Sequence, residues 1–209
     1  MPHAATRDTL LFHAPALPVI AIERLADAVP LARALVAGGL PVLEITLRTA
    51  CALHAIRAIA EEVEGAVVGA GTVLSPRDLD AVTAVGAQFA VSPGATPTLY
   101  AAAAHSAIPW LPAITTASEL MVGLEHGLTR FKFFPAESSG GVAALRSFTG
   151  PFPQARFCPT GGIDAARAPA YKALSNVFTV GGSWMLPKAV IDAGRWDEIG
   201  ALARAAAAL

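Results

Sequence analysis

The feature that most constrains this chain is a beat repeated along its length: a short apolar run, then Gly, Pro, Ser or Thr, then a longer Ala-rich segment with helical spacing. Such a beat predicts alternating strands and helices, with helical crossovers joining parallel strands. The candidate strands are residues 17–22, 42–47, 67–73, 88–92, 110–114, 130–134, 155–159 and 177–180, each followed by a segment able to form a helix. Helix starts are marked by Ser75-Pro76 and Thr96-Pro97, where a hydroxyl caps and proline occupies the first turn, and by Asp164 after Gly161-Gly162. Helix ends carry Gly38-Gly39, Gly65, Gly86 and Gly127, which suit a left-handed cap.

Eight β/α units either close into a barrel or open as a doubly wound sheet. No GxGxxG follows the first strand, so the signature of a dinucleotide-binding sheet is missing. The expected architecture is a (β/α)8 TIM barrel, residues 1–209 forming one domain with a short N-terminal helical segment. No linker, composition shift or low-complexity tract divides the 209 residues.

Composition sharpens this reading. Hydrophobic residues make up 54% and charged residues 15%, against roughly 25% charged in an average soluble domain. Most strands must therefore be covered on both faces, or subunits must cover one another. With 15 basic and 16 acidic residues and no Lys/Arg cluster, neither a nucleic-acid surface nor an anionic membrane is an expected partner. Cys51 and Cys158 are too few for a disulfide framework and lack zinc-site spacing, so both are expected as reduced thiols in a cytoplasmic protein. The first sixteen residues carry His3, Arg7, Asp8 and His13 and do not read as a secretion signal, and no apolar stretch of about 20 residues exists.

In a barrel of this kind chemistry sits where the strands end. The second strand alternates Leu43, Ile45 and Leu47 on one face with Val42, Glu44, Thr46 and Arg48 on the other. The leucine face is expected under the helices, which aims Glu44 and Arg48 at the barrel mouth. The sixth strand places Lys132 within an aromatic run, on the face of Phe134. Burial disfavours the charged form of an amine and makes the neutral, nucleophilic form accessible. Pairing with Glu44 or Glu137 is the plain structural alternative for this lysine. Lys172 and Lys188, the other two lysines, fall in segments expected as helix or loop.

Strands seven and eight end in Pro159-Thr-Gly-Gly162 and Val180-Gly-Gly-Ser183. Glycine turns there let backbone N–H groups approach an anion, with Thr160 and Ser183 adding hydroxyls, and barrel enzymes place phosphate sites after these strands. Gly161, Gly162, Gly182, Thr160 and Ser183 are therefore the candidate phosphate contacts. Gly69-Ala-Gly-Thr72 and Ser92-Pro-Gly94 end strands three and four, where small residues leave room for substrate and Thr72 supplies a hydrogen bond. The five histidines show no metal-ligand spacing, and no metal site is expected.

These residues leave three functions open: an aldolase using the lysine, another phosphate-binding barrel enzyme such as an epimerase or isomerase, and a non-catalytic barrel that binds a phosphorylated metabolite. The last two would not need Lys132 as a nucleophile. Taken together, however, Leu43-Glu-Ile-Thr-Leu-Arg-Thr49, Val68-Gly-Ala-Gly-Thr-Val73, Phe89-Ala-Val-Ser-Pro-Gly94, Phe131-Lys-Phe-Phe-Pro-Ala-Glu137, Phe157-Cys-Pro-Thr-Gly-Gly162 and Gly181-Gly-Ser-Trp184 resemble the class I 2-keto-3-deoxy-6-phosphogluconate (KDPG) aldolases, a family that also includes 4-hydroxy-2-oxoglutarate aldolase activity.

The resemblance implies a cytoplasmic homotrimer in the Entner-Doudoroff pathway that cleaves KDPG to pyruvate and glyceraldehyde 3-phosphate. It implies no metal and no cofactor, with Lys132 forming the Schiff base and Glu44 moving protons. It also implies that Arg48 and Thr72 hold the keto-acid carboxylate, and that Pro93 and Phe134 line the pyruvyl pocket. Two departures stand out: Pro112-Ala113-Ile-Thr115 replaces a common Pro-Gly-Ile-Ser, and Ser138-Ser139 replaces Ala-Asn. Both are expected to act at the fifth-strand loop and the substrate mouth.

Overall fold

A computed structural model describes residues 14–209. The expected N-terminal helical segment, with His3 and His13, lies outside the described residues. The strands and helices alternate in chain order: β1 (Ala16–Ile20), α1 (Ala28–Ala37), β2 (Val42–Thr46), α2 (Ala52–Glu62), β3 (Val67–Gly71), α3 (Pro76–Ala84), β4 (Ala90–Ser92) and α4 (Pro97–Ala103). The second half follows with β5 (Trp110–Ile114), α5 (Ala117–Glu125), β6 (Arg130–Phe133), α6 (Gly141–Phe148), β7 (Arg156–Pro159), α7 (Ala168–Lys172), β8 (Val180–Gly182), α8 (Lys188–Asp192) and α9 (Trp196–Ala207).

All strand pairs are parallel, in the order β7-β6-β5-β4-β3-β2-β1-β8. Single bridges from Phe157 to Val177 and from Thr160 to Gly181 join the two edges and complete the (β/α)8 barrel.

The pleat sorts side chains into layers. Leu43 and Ile45 face outward and pack with Ile56 and Ile59 of α2. Phe131 and Phe133 do the same with Leu120, Leu145 and Phe157. The inward positions Leu17, Val42, Phe89, Val91, Leu111 and Cys158 form a separate apolar plug inside the barrel. Inward positions nearer the C-terminal strand ends lie above this plug, and there the polar side chains begin.

Capping follows the expected chemistry. Ser75 and Thr96 accept from the backbone N–H groups of Asp78 and Leu99, each with proline in the first turn. A full capping box between Thr116 and Glu119 opens α5. Burial pushes the Glu119 carboxyl up, but hydrogen bonds from Thr115 and Thr116 outweigh it and hold the group below its ordinary range. Gly39, Gly65, Gly86 and Gly127 adopt φ between 79° and 92°, as expected of left-handed caps.

Several expected boundaries shift. Residues 72–73 leave β3, because Thr72 turns into the left-handed region at φ 61°. β4 begins at Ala90 instead of 88, and β8 at Val180 instead of 177, with Val177 contributing only its bridge. Asp164 does not cap α7 directly. It accepts from the N–H groups of Ala166 and Arg167 in the turn that precedes the helix.

Candidate active site

The eleven residues named from the sequence, Glu44, Arg48, Thr72, Pro93, Lys132, Phe134, Thr160, Gly161, Gly162, Gly182 and Ser183, line one cavity of about 560 Å³ at the C-terminal ends of the strands. That size and position suit a small-molecule site in a barrel.

At its base Lys132 Nζ donates to Glu44 Oε1 at 2.9 Å and to Oε2 at 3.3 Å. Lys132 is 6% exposed and Glu44 1%. The lysine comes from β6 and the glutamate from β2, so the fold, not local sequence, creates the pair. The Phe134 ring lies 5.7 Å from Nζ. Glu137, the other carboxylate weighed as a partner for Lys132, is not in the site. Its side chain meets Tyr171 and Arg167.

The glycines of β3 differ from expectation. They do not open space for a ligand; other side chains already fill it. A Cβ on Gly69 would come within 2.5 Å of the Phe89 ring, and one on Gly71 within 2.2 Å of Glu44 Oε1. Gly71 is thus the hollow that receives the Glu44 carboxylate.

Arg48 lies beyond the end of β2, in a turn, and the register of the strand does not aim it. Thr46, buried in the last position of β2, donates its hydroxyl to the Ile20 carbonyl at 2.9 Å and accepts from Arg48 Nε at 3.0 Å. A hydroxyl whose proton is committed to a carbonyl can only accept from Nε, which fixes the guanidinium by one edge and leaves its terminal nitrogens for an anion. Thr72, just past the end of the neighbouring strand β3, is a non-glycine residue at positive φ, the kind of local strain that clusters at functional sites.

The two Gly-Gly pairs are not alike. Gly161 and Gly162 sit in a true turn with φ 107° and 76°. Gly181 and Gly182 instead belong to β8, and their lack of a side chain answers to crowding: a Cβ would meet Thr160 Oγ1 at 2.3 Å in the first case and the Trp184 ring at 2.2 Å in the second. Thr160 is buried at the end of β7, and Ser183 is exposed at the cavity wall.

Further residues contribute beyond those eleven; Thr115 was expected at the fifth-strand loop, whereas the place of Cys158 beside Lys132 was not. Thr115 donates to the Phe134 carbonyl at 2.7 Å, tying the fifth-strand loop to the segment that follows Lys132. Cys158, the register partner of Lys132 on β7, is fully buried, and burial pushes its thiol up to about 12. The Lys132 charge draws it down and the Glu44 charge pushes it up. Glu23, Asp27, Leu186, Lys188 and Asp192 also line the cavity. Lys188 therefore does reach the site's edge, but its amine is exposed and bound to Asp192 at 2.8 Å. Among the described residues no group of three or more His, Cys, Asp or Glu side chains could hold a metal ion, and no helix is long and apolar enough to cross a membrane.

The chain is also similar to known proteins along most of its length. Residues 8–202 match the family model "KDPG and KHG aldolase". The chain is 56% identical over 199 residues to the KHG/KDPG aldolase of Escherichia coli (strain K12), covering 95% of this chain and 93% of that one. A crystal structure of KDPG aldolase from Legionella pneumophila, with pyruvate captured as a covalent carbinolamine intermediate, matches with a TM-score of 0.93 and 45% identity, covering 95% of this chain and 97% of that one. The Zymomonas mobilis ZM4 enzyme, solved with 3-phosphoglycerate, matches with a TM-score of 0.92 and 49% identity, over 98% and 96% of the two chains. The chain therefore belongs to the KDPG and KHG aldolase family and is a carbon–carbon lyase.

Proposed function

We propose that this chain is a class I aldolase that cleaves KDPG to pyruvate and glyceraldehyde 3-phosphate, acting in the cytoplasm as a homotrimer in the Entner-Doudoroff pathway. The observation that carries the reading is the buried contact of 2.9 Å between Lys132 Nζ and Glu44 at the base of the cavity. It puts a nucleophile and its proton acceptor in direct contact before substrate arrives.

Passing a proton from Lys132 to Glu44 frees the amine lone pair, which adds to the C2 carbonyl of the keto acid. Glu44 returns that proton to the carbinolamine hydroxyl, water leaves, and a protonated imine forms. Glu44, again a carboxylate, accepts the C4 hydroxyl proton, directly or through water. The C3–C4 bond then breaks, its electrons move to the imine nitrogen, and the aldehyde departs from a pyruvate enamine. Protonation of that enamine at C3 and hydrolysis of the imine return the free lysine. No metal or cofactor enters this sequence.

Arg48 and Thr72 hold the carboxylate beside C2, the guanidinium offering two parallel donors. Pro93 and Phe134 close the pyruvyl end. Gly161, Gly162 and Gly182 with Thr160 and Ser183 bind the distal phosphate through backbone N–H groups and hydroxyls. The carbinolamine in the Legionella structure and the 3-phosphoglycerate in the Zymomonas structure support these two assignments.

Incubation with pyruvate and borohydride tests the imine. Intact mass should show one reduced pyruvyl group per chain, mapped to Lys132 by peptide digestion and absent from Lys132→Met. A chain that gains no mass under these conditions overturns the mechanism.

A further inference from the structure

The turn that carries Gly161 and Gly162 is held from outside the cavity. Both glycines are in the left-handed region, where a chain has little intrinsic preference for one geometry. Two backbone bonds fasten the turn to the segment after β6: Ala136 N donates to the Thr160 carbonyl at 2.8 Å, and Glu137 N to the Gly161 carbonyl at 3.1 Å. The stem of Glu137 also covers Gly162 so closely that a Cβ there would meet Glu137 Cβ at 2.8 Å.

Glu137 is itself anchored. Its Oε1 accepts from the hydroxyl of Tyr171, a residue 1% exposed on α7, and its Oε2 lies 3.2 Å from Arg167 Nε. Arg167 pairs in turn with Asp164, which caps the turn before α7. The chain from Gly161 to Tyr171 thus closes on itself through Glu137. None of Glu137, Asp164, Arg167 or Tyr171 lines the cavity.

We propose that the Tyr171–Glu137–Arg167 network positions the Gly161-Gly162 turn and so sets the preference of this enzyme for a phosphorylated over an unphosphorylated keto acid. The inference rests on the assignment of that turn to the phosphate. The network touches neither Lys132 nor Glu44, so the chemistry at C2 is independent of it.

Steady-state kinetics with KDPG, together with the rate of borohydride-trapped pyruvate adduct, test the proposal in wild type, Tyr171→Phe, Arg167→Gln and Ser183→Ala. Loss of one hydrogen bond to a partly exposed carboxylate should raise KM for KDPG about fivefold in Tyr171→Phe, with kcat and the pyruvate adduct rate within about twofold of wild type. Arg167→Gln, an exposed change, should shift KM in the same direction without risk to the core.

An equal fall in KDPG turnover and pyruvate adduct rate in Tyr171→Phe would mark a merely structural role and overturn the proposal. So would an unchanged KM in both network variants while Ser183→Ala raises it, and in that case the phosphate assignment itself stands. An unchanged KM in Ser183→Ala as well would remove the phosphate assignment and the inference with it.

Discussion

Glu44 Oε1 occupies the place where a side chain on Gly71 would begin, 2.2 Å from the position of its Cβ. A strand residue thereby sets the location of the carboxylate that meets Lys132. Gly71→Ala should push Glu44 away from the amine. The rate of borohydride-trapped adduct formation with pyruvate should fall at least about tenfold, because a displacement on the order of 1 Å in a catalytic group is enough for that. Circular dichroism should show a folded barrel, and an adduct rate equal to wild type would show that the hollow at Gly71 does not position the carboxylate.

The Lys132–Glu44 pair also bears on stability. Removing one partner of a buried ion pair leaves the other charged and unsolvated, at about 3–5 kcal/mol. Lys132→Met and Glu44→Gln should each lower the urea unfolding free energy by about this order, while the double variant should recover much of the loss. Additive losses in that cycle would mean that the two groups do not stabilise one another.

Thr46 lines the cavity beside Arg48 and orients its guanidinium. Thr46→Val removes the oxygen that accepts from Nε, and KM for the keto acid should rise about tenfold, the ordinary effect of losing one charge-assisted hydrogen bond. Thr46→Ser, which keeps the hydroxyl, should behave as wild type. If Val and Ser variants share one KM, the guanidinium is held by something else.

Tyr171 gives the fold an alkaline signature. Burial and the adjacent Glu137 carboxylate raise the phenol above its ordinary value, with Arg167 opposing them. A proton held more tightly in the folded state contributes stability that is complete below the unfolded value of about 10 and is lost as pH rises through the folded one. Melting temperatures of wild type and Tyr171→Phe should therefore differ by a constant margin from pH 7 to about 9.5 and converge above about 10.5. A constant margin across the whole range would show that the phenol is not shifted.

How much of this was legible in the sequence depends on the range of the interaction. The barrel followed from local signals, since each strand, cap and glycine stop is encoded within a few residues, and Ser75, Thr96 and Gly127 behave as their positions predict. Lys132 and Glu44 were legible because an inward charge on a parallel strand has few explanations. Steric complementarity was not: the filling of Gly69 by Phe89 and of Gly71 by Glu44 joins different strands, and sequence alone shows a small residue without showing what occupies its space. The roles of Thr46, Thr115 and Tyr171 were hidden for the same reason, each depending on a carbonyl or carboxylate delivered by another element.

Two nucleophile-bearing side chains stand side by side in register, Lys132 on β6 and Cys158 on β7. Only one is free to react. Kept in its protonated form by its dry surroundings and shut out of the cavity lining, the sulfur cannot trap the aldehyde that leaves the site as a hemithioacetal, nor intercept the incoming ketone. Chemoselectivity between sulfur and nitrogen is thus decided by which of the two neighbours the cavity reaches, and a polar substitution in the plug around Cys158 would be the change that puts the two in competition.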